Sequence, residues 1–400
     1  MTGVVGHKTL RVLAVTTAVL LLVLAARRAA SAELREYPSR YYVIYTDHDE
    51  ATVKEAQARL TAMAEEYHRR TKDYAGTIRT RLPFYLFSRI EDYHAAGGVG
   101  AGIYAGRLLM AHLPKGGSSR VWHVVQHEGF HQFAAKVIRG GLPVWVNEGL
   151  AEYFGEGVWT GDNFVTGMIP GDRLARVQAL IRAGKIKPFM TMLMLSHMEW
   201  RNELSMVNYD QAWSMVHFLV HAEDGKYRKA FDAFILDMSK GVDWPDAFLK
   251  RFGRDVEAFQ KKYSDWWLSL PADAGSERRT LAVVQTLTSF LARAHAEGQT
   301  FETVDAFFEA ARADRLRIPE KHWLPPALLA ENLNLARRLA TWSLENSPAG
   351  PRLVLKLADG DIFTGTLKVL GDKGFKVDVE VGDPRKKPAE RERPGRFELP

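Results

Sequence analysis

The chain has 400 residues, 46% of them hydrophobic, which allows two or three domains with a sizeable core. Its formal charge is +6, but Lys8, Arg11, Arg27 and Arg28 fall in the first 32 residues, where no acid stands. Without that segment the charge is +2, too small for a nucleic-acid binder, whose basic stripe dominates its domain. The absence of cysteine excludes a disulfide scaffold and every thiolate zinc site, and fits a bacterial envelope protein.

Residues 1–32 predict a secretory signal peptide: a basic start, an apolar run over Val12–Ala26, and an Ala30-Ser31-Ala32 cleavage pattern. The run is short for a membrane span of about 20 residues. Arg27 and Arg28 keep the alternative of an uncleaved anchor, in which residues 12–26 attach the chain to a membrane. Tyr41–Tyr45 predicts a strand, 51–71 an amphipathic helix with Val53, Ala56, Leu60, Met63 and Ala64 inward, and Leu82–Phe87 a second strand. A glycine-rich stretch over 97–102 precedes a third strand at 108–113, expected to be the sheet edge, on which His112 could touch a substrate. Residues 36–115 then form a small α/β layer above a helix at 121–138.

That helix carries His127-Glu128-Gly129-Phe130-His131. One turn separates the two histidines, so both imidazoles leave one face and can reach one Zn²⁺ at about 2.0–2.1 Å. Glu128 leans toward the open side of such a metal, where a carboxylate can take a proton from water. The bland alternative is two buried histidines satisfied by backbone carbonyls. The turn at 140–143 leads into a second helix with Glu148 and, one turn on, Glu152 on the same face. Either could be a third ligand. A carboxylate left over would accept a hydrogen bond from the far nitrogen of a ligand histidine, His127 first, and fix its tautomer.

The segment Pro143-Val144-Trp145-Val146-Asn147-Glu148-Gly149-Leu150-Ala151-Glu152-Tyr153-Phe154 resembles the gluzincin metallopeptidases, in which H-E-x-x-H is followed by W-x-x-E-G-x-A-E-Y. It is also similar to an uncharacterised bacterial, DUF1570-like group of the peptidase MA clan reading H-E-x-x-H-Q and then P-x-W-x-x-E-G-x-A-x-Y-F. The resemblance spans 120–155 strongly and extends to about 225. It implies Glu148 as third ligand, leaving Glu152 beside His127. Tyr209, in Tyr209-Asp210-Gln211-Ala212 just before a helix, resembles the tyrosine that steadies the oxyanion in gluzincin aminopeptidases. Those aminopeptidases hold a substrate amino terminus with G-x-M-E-N. Here Gly102-Ile103-Tyr104-Ala105-Gly106 offers no carboxylate, so internal cleavage is expected. His123 reads as a packing or supporting residue, and His217 and His221 as helix packing.

Downstream, 172–267 reads as mostly helical, and 271–275 as a linker. Helix is expected again over 280–345, a break at 348–351, alternating strands over 353–381, and a Pro- and charge-rich disordered tail. The expected fold is α+β. A zincin-like catalytic domain at 33–270, with a small mixed sheet over the motif helix, is followed by a helical region at 276–347. A small β module at 351–382, SH3-like at most, and a tail at 383–400 complete it. The expected function is an exported, periplasmic or extracellular, zinc-dependent peptidase acting on peptide or protein substrates. The competing expectation is a non-catalytic envelope protein that retains the zinc site for binding or structure.

Overall fold

The computed structural model describes residues 33–382, apart from 107, 115–118, 204, 349, 372 and 373. The signal-peptide, anchor and tail readings fall on 1–32 and 383–400, outside the described residues. The protein mixes helix and sheet, consistent with the α+β expectation. Among the described residues no helix is long and apolar enough to cross a membrane.

The N-terminal layer is a five-stranded sheet. Its strands are β1 (Arg35–Pro38), β2 (Tyr42–Thr46), β3 (Leu82–Phe87), β4 (Gly102–Ala105) and β5 (Leu108–His112), in the order β1-β2-β3-β5-β4. β2, β3 and β5 are parallel neighbours, while β1 and β4 run antiparallel to theirs. Parallel β2 and β3 need a crossover, supplied by helix α1 (Glu50–Thr71), which Asp49 caps at Thr52 N–H. Its face of Val53, Ala56, Leu60, Met63, Ala64 and Tyr67 is buried. A short helix α2 (Ile90–Ala95) follows β3.

The expectation that 108–113 forms the sheet edge is corrected. β5 lies between β3 and β4, and the edge is β4, built from the glycine-rich segment. A Cβ on Gly102 would stand 2.8 Å from Val124 Cγ1 and 3.2 Å from the Met110 carbonyl oxygen. Glycine is what lets this strand lie against the helix below.

That helix is α3 (Ser119–Val137), which holds the H-E-x-x-H motif and packs on β4, β5, α1 and α4 (Val144–Gly155). A small hairpin, β6 (Val158–Trp159) and β7 (Phe164–Val165), leads to a run of helices. These are α5 (Gly171–Arg182), α6 (Phe189–Met194), α7 (His197–Asn202), α8 (Met206–Gly225, broken at 222–224), α9 (Arg228–Ser239), α10 (Trp244–Phe252) and α11 (Val256–Ser269). Tyr209 therefore stands in the first turn of α8 rather than before it, because Ser205 starts the helix by accepting from Asn208 N–H. α8 lies against α4 at Gly149, where a Cβ would meet the Ala212 carbonyl oxygen at 2.5 Å.

The C-terminal part contains α12 (Ser276–Ala296), α13 (Val304–Arg312), α14 (Pro326–Ala336) and strands β8 (Thr341–Ser347), β9 (Gly350–Lys356), β10 (Ile362–Val369) and β11 (Phe375–Gly382). The strands form one antiparallel sheet, β11-β10-β9-β8, resting on α12. The helix expected to run to 345 instead ends at Ala336, and β8 occupies its last residues. Trp342 and Leu344 alternate inward, and the Trp342 indole donates to the Ala336 carbonyl at 3.1 Å. This sheet is tied to the rest of the chain. Trp159 of β6 is buried in the same cluster as Phe290, Phe307 and Leu353. Arg293 pairs with Asp162 at 2.8 Å, and Asn163 donates to the Val377 carbonyl at 2.7 Å.

Candidate metal centre

One turn of α3 brings His127 Nε2 and His131 Nε2 to 3.1 Å from each other. Glu148 Oε2, from the first half of α4, lies 3.6 Å from the former and 3.4 Å from the latter. Four ligands at about 2.1 Å around a tetrahedral ion are separated by about 3.4 Å. The three atoms therefore fit three corners of such a site, and two imidazoles with one carboxylate are a donor set that suits Zn²⁺. The side chains are 13–15% exposed, so the group is sunk but open on one side.

The electrostatics favour a cation. Burial pushes the His127 imidazole down, yet Glu148 and Glu152 outweigh it and hold it up at about 10. Burial pushes the Glu148 carboxyl up, but His127 and His131 bring it to about 2. The field that would keep a proton on His127 is the field that would hold a dication.

Glu128 is aimed by the sheet edge. Its Oε2 accepts the backbone N–H of Tyr104 in β4 at 2.8 Å. The segment Gly102–Ala105 thus touches the catalytic-base candidate through its backbone. Glu152 Oε1 lies 3.2 Å from His127 Nδ1, placing it behind the ring that the sequence assigned to it. His131 Nδ1 is buried with no hydrogen-bond partner among the described residues.

A family model described as a protein of unknown function (DUF1570) matches residues 122–240. No curated protein and no solved structure matches. The matched segment holds His127, Glu128, His131, Glu148, Glu152 and Tyr209, but not β4.

Tyr209 is half-buried with its ring 6.4 Å from that of His127, centre to centre. Burial pushes its phenol above the usual range, with Trp200 opposing and Glu148, Glu152 and Glu128 reinforcing. The hydroxyl is thus kept as a donor beside three carboxylates.

Sequence reasoning missed the support behind Glu152. Arg173 of α5 is 5% exposed and sets Nη1 2.6 Å from Glu152 Oε2 and 2.8 Å from Glu156 Oε1. Its Nε lies 2.9 Å from Asp210 Oδ1, and Arg176 Nε is 2.7 Å from Asp210 Oδ2. The guanidinium also covers the Trp213 ring at 4.7 Å. One cation thereby joins α4, α5 and the turn of α8 bearing Tyr209. The only sequence signal was Asp210 itself, directly after the tyrosine.

The other histidines weighed from the sequence, His112, His123, His217 and His221, have surroundings of their own. His112 is paired inside the sheet, its N–H donating to the Ala101 carbonyl at 3.1 Å and its strand bonded to β3. His123 stands near Glu152 and Glu156, the carboxylates that Arg173 already bridges. His217 packs on Trp213 and Trp267, and His221 Nε2 meets the Tyr153 hydroxyl at 2.9 Å.

Proposed function

We propose that the protein is an exported, zincin-like, zinc-dependent hydrolase that cuts internal peptide bonds. The observation that carries this reading is the triangle of His127 Nε2, His131 Nε2 and Glu148 Oε2, with edges of 3.1–3.6 Å and one open side. Structural zinc sites use four protein ligands, whereas three with an opening suit catalysis.

Zn²⁺ held by those three atoms would supply Lewis acidity toward a water and a substrate carbonyl. The residues do the rest. Tyr104 N–H holds one oxygen of Glu128, leaving the other to take a proton from the attacking water and return it to the leaving amine. The Tyr209 hydroxyl donates toward the carbonyl oxygen as negative charge gathers there. Glu152 accepts from His127 Nδ1–H, so the Nε2 lone pair stays directed at the metal position. Burial pushes the Glu152 carboxyl up, but His127 and then Arg173 keep it ionised, and Arg173 holds it in place.

The deciding experiment is metal analysis of the purified protein together with digestion of a broad peptide library. Zinc at one per chain with endoproteolytic products that vanish in Glu128→Gln supports the proposal. Stoichiometric zinc without cleavage favours a non-catalytic envelope protein. No zinc uptake removes the site.

A further inference from the structure

Beside the candidate metal centre lies a cavity of about 710 Å³. Its apolar lining comes from Ala134 and Ala135 of α3, Ile138 just past its end, Leu142 and Val144. His131 and Glu148 face one end, and His197, Trp200 and Arg201 of α7 line a wall. Apart from His131 and Glu148, the lining residues able to carry charge near neutral pH are Arg201 and His197, both basic. Among the described residues the lining offers a substrate no further acid.

The two are one turn apart and share a helix face. α7 is short but firmly set. Ser196 Oγ accepts Glu199 N–H at 3.2 Å, and Glu199 Oε2 accepts Ser196 N–H at 2.8 Å, a reciprocal cap. Trp200, between the two basic residues, is buried with its ring 5.2 Å from that of Tyr209. The helix is therefore anchored on Tyr209, whose ring centre lies 6.4 Å from that of His127. Nearby Lys187 and Glu203 pair with each other, while no acid pairs with Arg201 among the described residues. Arg201 and His197 are exposed, so water screens them in part, but a guanidinium receives a carboxylate through two parallel hydrogen bonds that add geometry to the charge.

We infer that this cleft selects substrates carrying a carboxylate next to the bond that is cut, received by Arg201 with His197 beside it. The inference rests on the hydrolase reading. The carboxylate can be an acidic side chain or a free C-terminus.

The test uses the full chain loaded with zinc, the metal content being measured first. No uptake overturns the hydrolase reading and the inference with it. Calorimetry then compares the monohydroxamates of succinic, glutaric and adipic acid with their methyl esters, which keep the metal-binding end and lose the charge. At one chain length or more the acid should bind about two- to fivefold more tightly, the scale of an exposed charge pair. Arg201→Gln should remove that advantage without altering binding of the ester. Equal affinities at all three lengths, or an advantage that survives Arg201→Gln, overturn the inference while leaving the metal site standing. Peptides used as competitors of the bound hydroxamate separate the two sources. A Glu-over-Gln preference in C-terminally amidated peptides assigns the side chain, and a free-over-amidated preference assigns the terminus. Neither preference counts against the inference.

Discussion

The backbone N–H of Tyr104 donates to Glu128 Oε2 at 2.8 Å, joining the edge strand β4 to the motif helix α3 at the carboxylate expected to move protons. A side chain held by a backbone N–H keeps its direction whatever residue other than proline occupies position 104. Glu128→Gln retains an oxygen for that bond and removes the basicity. It should leave zinc content and unfolding temperature unchanged while turnover falls about 10²–10⁴-fold, the range ascribed to a positioned general base. Metal analysis and initial rates check this.

The three ligands should behave as a set. His127→Ala or His131→Ala should abolish zinc retention after dialysis, and Glu148→Ala should weaken it strongly. Full occupancy in the double histidine variant would show that the metal sits elsewhere.

Arg173 sits among Glu152, Glu156 and Asp210, so Arg173→Met should leave buried carboxylates uncompensated. Unfolding in urea should show a loss of about 3 kcal/mol or more. Chelator competition should show zinc affinity reduced about 10–100-fold, as when a supporting partner of a ligand is lost. Arg173→Lys should recover part of both, since it restores the charge but not the fork.

Tyr209→Phe keeps the ring against His127 and Trp200 and removes the hydroxyl. kcat and kcat/KM should fall together by about 10²–10³-fold, with KM and zinc content unchanged. A change confined to KM would take this tyrosine out of the reaction.

Acid should destabilise the protein through α8. Burial holds the His217 imidazole down at about 3, and burial together with His217 holds His221 well below its usual range. Both are neutral when folded, whereas an unfolded histidine takes its proton near pH 6.5. Their contribution is complete above that pH and is lost as pH falls from about 6.5 toward 3, by up to about 1.4 kcal/mol per pH unit for each ring. Urea titrations at pH 7, 5 and 4 should show this slope, and His217→Gln should flatten it.

The parts of the site legible in the sequence are those set by local geometry. His127 and His131 meet because a helical turn is a fixed length, and Glu148 and Glu152 share a face for the same reason. The identity of the edge strand was not legible, because it depends on β5 pairing with both β3 and β4. Gly102–Ala105 holds only two strand-favouring residues, Ile103 and Tyr104, set among Gly100, Gly102 and Gly106, and is held by pairing with β5 and its close fit over Val124. The Arg173–Asp210 pair joins separate helices and leaves no periodic trace. β8 was read as helix because Trp342 and Leu344 follow directly on a helical run, so their alternation of two was hidden behind a period nearer four.

The ties between β6 and the C-terminal sheet bear on how the protein can be handled. Trp159, Asp162 and Asn163 lie in the half that bears the metal site, yet their partners are Phe290, Arg293 and Val377. A fragment stopped at the Pro271–Gly275 turn would strip an apolar cover from Trp159 and leave Asp162 unpaired beside it. Such a fragment should express as aggregate, and limited proteolysis at that turn should give two pieces that stay together on gel filtration until denaturant is added. Assigning activity by dividing the chain would then report a folding failure as a loss of catalysis, and single substitutions in the full-length protein are the sounder route.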